Sequence, residues 1–140
     1  MVLAVVFCFT ACSEFKVADL EGTWKCVETE PDIAEEARPT MVLDNKGMGY
    51  EKTNEDLKYS VTLGKNKTFT AVLKMSIDIG GMADCTFTMK GTYSFNKKKT
   101  LLEISNITWD YYAEKEGESV EVPEGVKNGF NMTYTKFEKQ

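Results

Sequence analysis

The chain of 140 residues contains no histidine. That absence excludes Ser-His-Asp triads, zinc sites with imidazole ligands and the commonest general base near neutral pH. Long apolar runs are missing too. The apolar stretch at residues 2–11 (VLAVVFCFTA) falls well short of the ~20 residues that a membrane-spanning helix needs. Positive charge is in deficit, with 17 Lys and Arg against 22 Asp and Glu, a formal net charge of −5. Nucleic-acid phosphates require concentrated Lys and Arg, so a nucleic-acid partner is not expected. Internal repeats and low-complexity segments are also absent. What remains, 42% hydrophobic and 28% charged residues, suits one small globular domain with a single core.

No charge precedes Glu14, so the whole net charge lies beyond the first apolar stretch. That stretch has the length of a signal-peptide apolar region. It ends at Phe9-Thr10-Ala11-Cys12-Ser13, which resembles a bacterial lipobox with Phe9 where Leu is usual. The resemblance implies a signal peptide over 1–12, lipidation of Cys12 and a short tether over 13–19. The protein would then sit on the cell envelope as an outer-membrane lipoprotein, anchored by chains worth ~0.8 kcal/mol per buried methylene. Two other readings stand beside it, a secretory signal without lipid and an N-terminal element packed on the domain.

From Leu20 onward the apolar residues recur with period two, the spacing of strands with one face in a core. Tyr59, Val61 and Leu63 alternate with polar neighbours. Phe69, Ala71, Leu73, Met75 and Ile77 share a face, as do Cys85, Phe87, Met89, Tyr93 and Phe95. Gly91 falls on that second apolar face, where it marks a bend or a close backbone approach. Turns are expected at residues 64–67, at Gly80-Gly81 and at 96–99. Along 100–112 the phase changes near Asn106, from Leu102 and Ile104 to Ile107, Trp109 and Tyr111, which calls for a β-bulge. A last strand over 129–138 places Phe130, Met132 and Tyr134 on one parity. With 20–29, 41–50 and 119–122 the count is about eight strands. Residues 30–40 read as a loop with one helical turn, and 51–58 as a turn or short helix. The expected fold is an all-β, antiparallel up-and-down barrel, in which closure removes exposed edges.

Leu20-Glu21-Gly22-Thr23-Trp24 resembles the Gly-x-Trp opening of lipocalin and calycin barrels. The segments Lys67-Thr68-Phe69 and Gly91-Thr92-Tyr93 resemble those of lipocalin-like domains in Bacteroidetes-type lipoproteins. The core lipocalins' Thr-Asp-Tyr motif is absent, so the looser lipocalin-like group is the better match. The resemblance covers about residues 20–138, within a barrel domain assigned to 20–140. It implies that Gly22 turns the chain into the first strand and Trp24 plugs the closed end. It further implies that Lys136 or Lys139 packs across Trp24.

Phe69, Leu73, Phe87, Met89 and Tyr93, on one inward face of adjacent strands, are expected to line a site for a small apolar or amphipathic ligand. Trp109 and Tyr111 stand near a barrel mouth and join that set. Met75, Met82, Met89 and Met132 would serve either as an adaptable lining or as core. Cys26 and Cys85 both point inward, and a disulfide and two buried thiols remain equally open. Asp110, Glu114, Glu116, Glu118, Glu121 and Glu124 read as a solvated loop between strands. Their resemblance to a calcium loop is loose, and they are the sole candidates for a carboxylate pair. The expectation is a binder without catalytic residues, metal or cofactor, partnered by a membrane through Cys12. The alternative is a surface protein-interaction or glycan-binding module with a filled barrel and an envelope protein as its partner.

Overall fold

The alternating runs close into an antiparallel barrel. The computed structural model describes residues 15–140, so Cys12 and the expected signal segment 1–12 lie outside the described residues. Among the described residues nine strands follow one another: β1 (Gly22–Glu30), β2 (Thr40–Leu43), β3 (Met48–Glu51), β4 (Asn54–Leu63), β5 (Thr68–Asp78), β6 (Met82–Phe95), β7 (Leu101–Lys115), β8 (Glu118–Val120) and β9 (Tyr134–Lys139). From β1 to β7 each strand pairs with the next. β9 then pairs with both β7 and β1 and completes an eight-stranded ring. β8 folds back on the far end of β7 as an extra hairpin. A helix of one turn, α1 (Glu124–Lys127), precedes β9.

Period-two patterning explains β4 to β7. Tyr59, Val61, Phe69, Ala71, Leu73, Cys85, Phe87, Met89 and Tyr93 are all buried. The phase change in β7 is a bulge. Lys90 faces Thr108 whereas Thr92 faces Ser105, so two residues of β7 oppose Gly91 alone. Asn106 takes the extra position with φ 54°, which turns both Ile104 and Ile107 inward. Gly91 is required opposite it, because a Cβ there would lie 2.7 Å from the Ser105 carbonyl oxygen.

Elsewhere the structure corrects the reading. The run 41–50 is two strands, split by a turn in which Asp44 accepts hydrogen bonds from the N–H groups of Lys46 and Met48. Residues 51–58 are not a helix; β4 begins at Asn54 directly after the turn. The last strand starts at Tyr134 rather than 129, and its inward residues are Thr135 and Phe137. Phe130 and Met132 belong instead to an irregular strap that follows α1, fastened by side chains rather than by a ladder. The expected tether 13–19 is structured from Phe15 on. Phe15 is buried, with its ring centroid 4.3 Å from that of Phe95 and 5.7 Å from that of Tyr93. A 3-10 turn at Val17–Leu20 follows, held by Asp19, which accepts from the Lys16 N–H and pairs with Lys99 at 3.0 Å.

Trp24 fills the end beside that turn. It is wholly buried, and its indole N–H donates to the Leu20 carbonyl at 2.8 Å. Lys139 lies over the ring, with Nζ 5.7 Å from the centroid. Lys136 does not; it pairs with Glu28 and Glu103 on the outer face. Gly22 has φ +134°, a conformation that side chains disfavour, and its Cα side faces the Lys139 stem. Cys26 and Cys85 are free and buried, so the disulfide alternative falls. Cys26 Sγ lies 3.4 Å from Thr135 Oγ1.

Candidate functional site

Above the Trp24 plug the barrel is hollow. A cavity of about 320 Å³ runs to the opposite end, walled by the inward side chains of β2, β3, β4, β5, β6, β7 and β9. Alternation along β5 shows how the space arises. Phe69, Ala71 and Leu73 share the inward face, and the methyl group of Ala71 leaves open what a larger side chain would fill. Ala71 stands between Val61 on β4 and Met89 on β6, midway up the wall.

Three segments frame the mouth: the loop between β1 and β2, the Lys52-Thr53 turn, and the strap at 129–133. The strap is tied to β7 by side chains. Trp109 Nε1 donates to the Met132 carbonyl at 2.8 Å, and the Tyr111 hydroxyl donates to the Phe130 carbonyl at 2.6 Å. The Phe130 ring meets that of Phe87 edge-on at 5.1 Å.

Polar groups gather near the mouth. Arg38 is anchored by Nε to the Ile33 carbonyl, by Nη1 to the Val27 carbonyl and by Nη2 to Asp32 at 3.1 Å. Glu51 is buried at 6% exposure. Its Oε1 accepts from the Thr40 N–H at 3.1 Å, and its Oε2 accepts from the N–H and hydroxyl of Thr53. Tyr59 lies beyond it on the same inward face, since Gly49 is the partner of Tyr59 and Glu51 stands two residues along β3. Burial, and then the Glu51 carboxylate and the Cys26 thiol, hold the Tyr59 phenol above its ordinary pKa.

Of the seven residues expected to line the site, Phe69, Leu73, Met89 and Trp109 do. Phe87, Tyr93 and Tyr111 do not. Phe87 is sealed behind the Tyr111 and Phe130 rings, and the Tyr111 ring is turned toward the strap it anchors. Tyr93 packs at the closed end with Phe15. Of the methionines, Met41, Met89 and Met132 line the cavity while Met82 is exposed on a hairpin. The acidic stretch is not one loop: Asp110 and Glu114 lie on β7, Glu118 on β8 and Glu124 on α1. Among the described residues no three Cys, Asp or Glu side chains converge as metal ligands.

Tyr59, Glu51 and Arg38 were missed as site residues. Tyr59 was legible as an inward strand residue, but its hydroxyl environment depends on β3. Glu51 occupies an inward position opposite Met41, and only the true strand boundary reveals that parity. Compared with known protein families, curated proteins and solved structures, the chain matches none.

Proposed function

We propose that this protein is a lipid-anchored, lipocalin-like component of the bacterial cell envelope that holds a small apolar or amphipathic ligand inside its barrel and performs no chemistry. The observation that carries this reading is the apolar cavity of about 320 Å³, open at one end of the ring. A cavity of ~150 Å³ accepts benzene, so this one has room for about ten carbon atoms. Affinity comes from burial at ~25 cal/mol per Å² of apolar surface. The Gly-x-Trp opening, with Lys139 over Trp24, supports the lipocalin-like label. The lipobox-like Phe9–Ser13 segment supports the anchor. Phe15 enters the barrel at the closed end, so a chain tethered through Cys12 turns its mouth away from the membrane. The alternative, a protein-interaction or glycan-binding module, rests on a filled barrel, and the cavity favours the binder.

Mass spectrometry of small molecules that co-purify with the full chain from its native host tests the binder. A near-stoichiometric apolar or amphipathic species supports it. So does naphthalene binding, read from Trp109 emission and lost in Ala71→Phe. An empty barrel that also ignores naphthalene overturns the reading. The anchor has a separate check: Cys12→Ala moves the protein from the membrane to the soluble fraction, and unchanged fractionation refutes the lipid.

A further inference from the structure

Tyr59 puts a phenol on the cavity wall. Tyr59 is 8% exposed, yet its hydroxyl makes no hydrogen bond among the described residues. No fully enclosed polar side-chain atom there lacks a partner, so this hydroxyl is one that the cavity reaches. Its neighbour along the wall is Glu51. A carboxylate offers about four acceptor sites, and three are taken by Thr40 and Thr53. The remaining site is on Oε1. Among the described residues no Lys or Arg pairs with Glu51. Arg38 is the one cation in the described lining, and it is committed to two carbonyls and Asp32.

From this pairing we infer that the cavity selects a neutral amphiphile whose apolar body ends in a hydroxyl, which accepts a hydrogen bond from Tyr59 and donates one to Glu51. The inference rests on the binder reading and names its ligand class. A hydroxyl is the simplest group that both accepts and donates, and so it satisfies an unused donor and an unused acceptor together. A carboxylate head cannot donate and meets an uncompensated negative charge in a site where screening is weak. An ammonium head carries donors only, so the Tyr59 O–H still lacks an acceptor. Its pairing with Glu51 also requires both charges to be stripped of water.

The test titrates the full chain at neutral pH with 1-decanol, decanoate and decylammonium, three heads on one tail, and with naphthalene as a headless probe. The expected order puts decanol about tenfold or more ahead of each ion, as one well-made buried hydrogen bond is worth about that factor. Tyr59→Phe weakens decanol about tenfold relative to naphthalene. Glu51→Gln raises decanoate affinity relative to wild type. The ranking in the unmutated protein stands by itself if Glu51→Gln fails to fold. Equal binding of the three heads with intact naphthalene binding overturns the hydroxyl assignment and spares the binder. Decylammonium or decanoate ahead of decanol also overturns it. Failure of all four ligands overturns both.

Discussion

The strap at 129–133 offers the sharpest test of how this barrel is held. Over most of its length the ring is closed by backbone ladders, but between β7 and the strap the fastening is the Tyr111 hydroxyl on the Phe130 carbonyl and the Trp109 indole on the Met132 carbonyl. One backbone bond, Ile107 N–H to the Thr133 carbonyl at 3.1 Å, supplements them. Tyr111→Phe removes a single oxygen atom. The ring contacts to Phe87 at 5.1 Å and to Trp109 at 6.2 Å stay possible, so the change isolates the hydrogen bond. The expected loss is about 1 kcal/mol, which for a domain of this size lowers Tm by roughly 3–5 °C. Trp109→Phe costs more, about 1–3 kcal/mol, because it removes the indole N–H and part of a half-buried ring. Both bonds hold one segment, so the double variant should lose less than the sum of the singles, with a coupling of about 0.5 kcal/mol or more. Urea unfolding measures the totals, and hydrogen exchange by mass spectrometry measures where the loosening occurs. Peptides covering 129–133 should lose protection in either variant, while those from β5 and β6 keep theirs. If Tyr111→Phe changes neither strap exchange nor Tm, the side-chain fastening is not what holds the segment, and the reasoning fails.

Three further outcomes follow from the same structure. The Tyr59 phenol is held above its ordinary pKa, first by burial and then by Glu51; the folded state therefore keeps a proton that the unfolded chain releases above about pH 10. Stability should fall as pH rises past that point, and Tyr59→Phe should flatten the fall in urea titrations. Burial opposes the charge on Asp19, but the Lys16 N–H and the Lys99 ammonium outweigh it and hold the carboxyl below its ordinary value. That contribution is present above about pH 4 and is lost as pH falls through the depressed value, so Asp19→Asn should lose less stability than wild type between pH 4 and 2. Cys26 and Cys85 are buried, and desolvation pushes the Cys85 thiol up. Alkylation of the native protein, followed by peptide mapping, should leave both unmodified until denaturant is added.

Much of the wall is legible in the order of residues, for a physical reason. A strand with one face in a core must alternate, and residues 59–63, 68–77 and 85–95 follow that rule, with Val72 and Gly91 as the exceptions. The bulge at Asn106 was legible as well, because an extra residue inverts parity and the shift from Ile104 to Ile107 shows it directly. The strap was not. Phe130, Met132 and Tyr134 alternate as a strand would, but Tyr134 alone joins a ladder, opposite Glu30; the Phe130 and Met132 carbonyls bond the side chains of Tyr111 and Trp109 from about 20 residues away. Period two in a short segment does not say whether a ladder exists to receive it. The segment 13–19 differed for another reason: the lipobox resemblance alone implied a tether there, whereas the Phe15 ring packs against Tyr93 and Phe95.

The order of residues alone carried the fold class and the inward parity of the central strands, because each follows from local rules of backbone and side-chain alternation. Which inward residues face empty space and which face one another was decided only in three dimensions. Phe69, Leu73 and Met89 open onto the cavity, whereas Phe87, with the same pattern and the same strand neighbours, is sealed by Tyr111 and Phe130. Glu51 stands beside Tyr59 on the wall only because β3 and β4 pair in one register. A site inside a barrel is a property of the ring, and the ring closes through contacts distant in the chain.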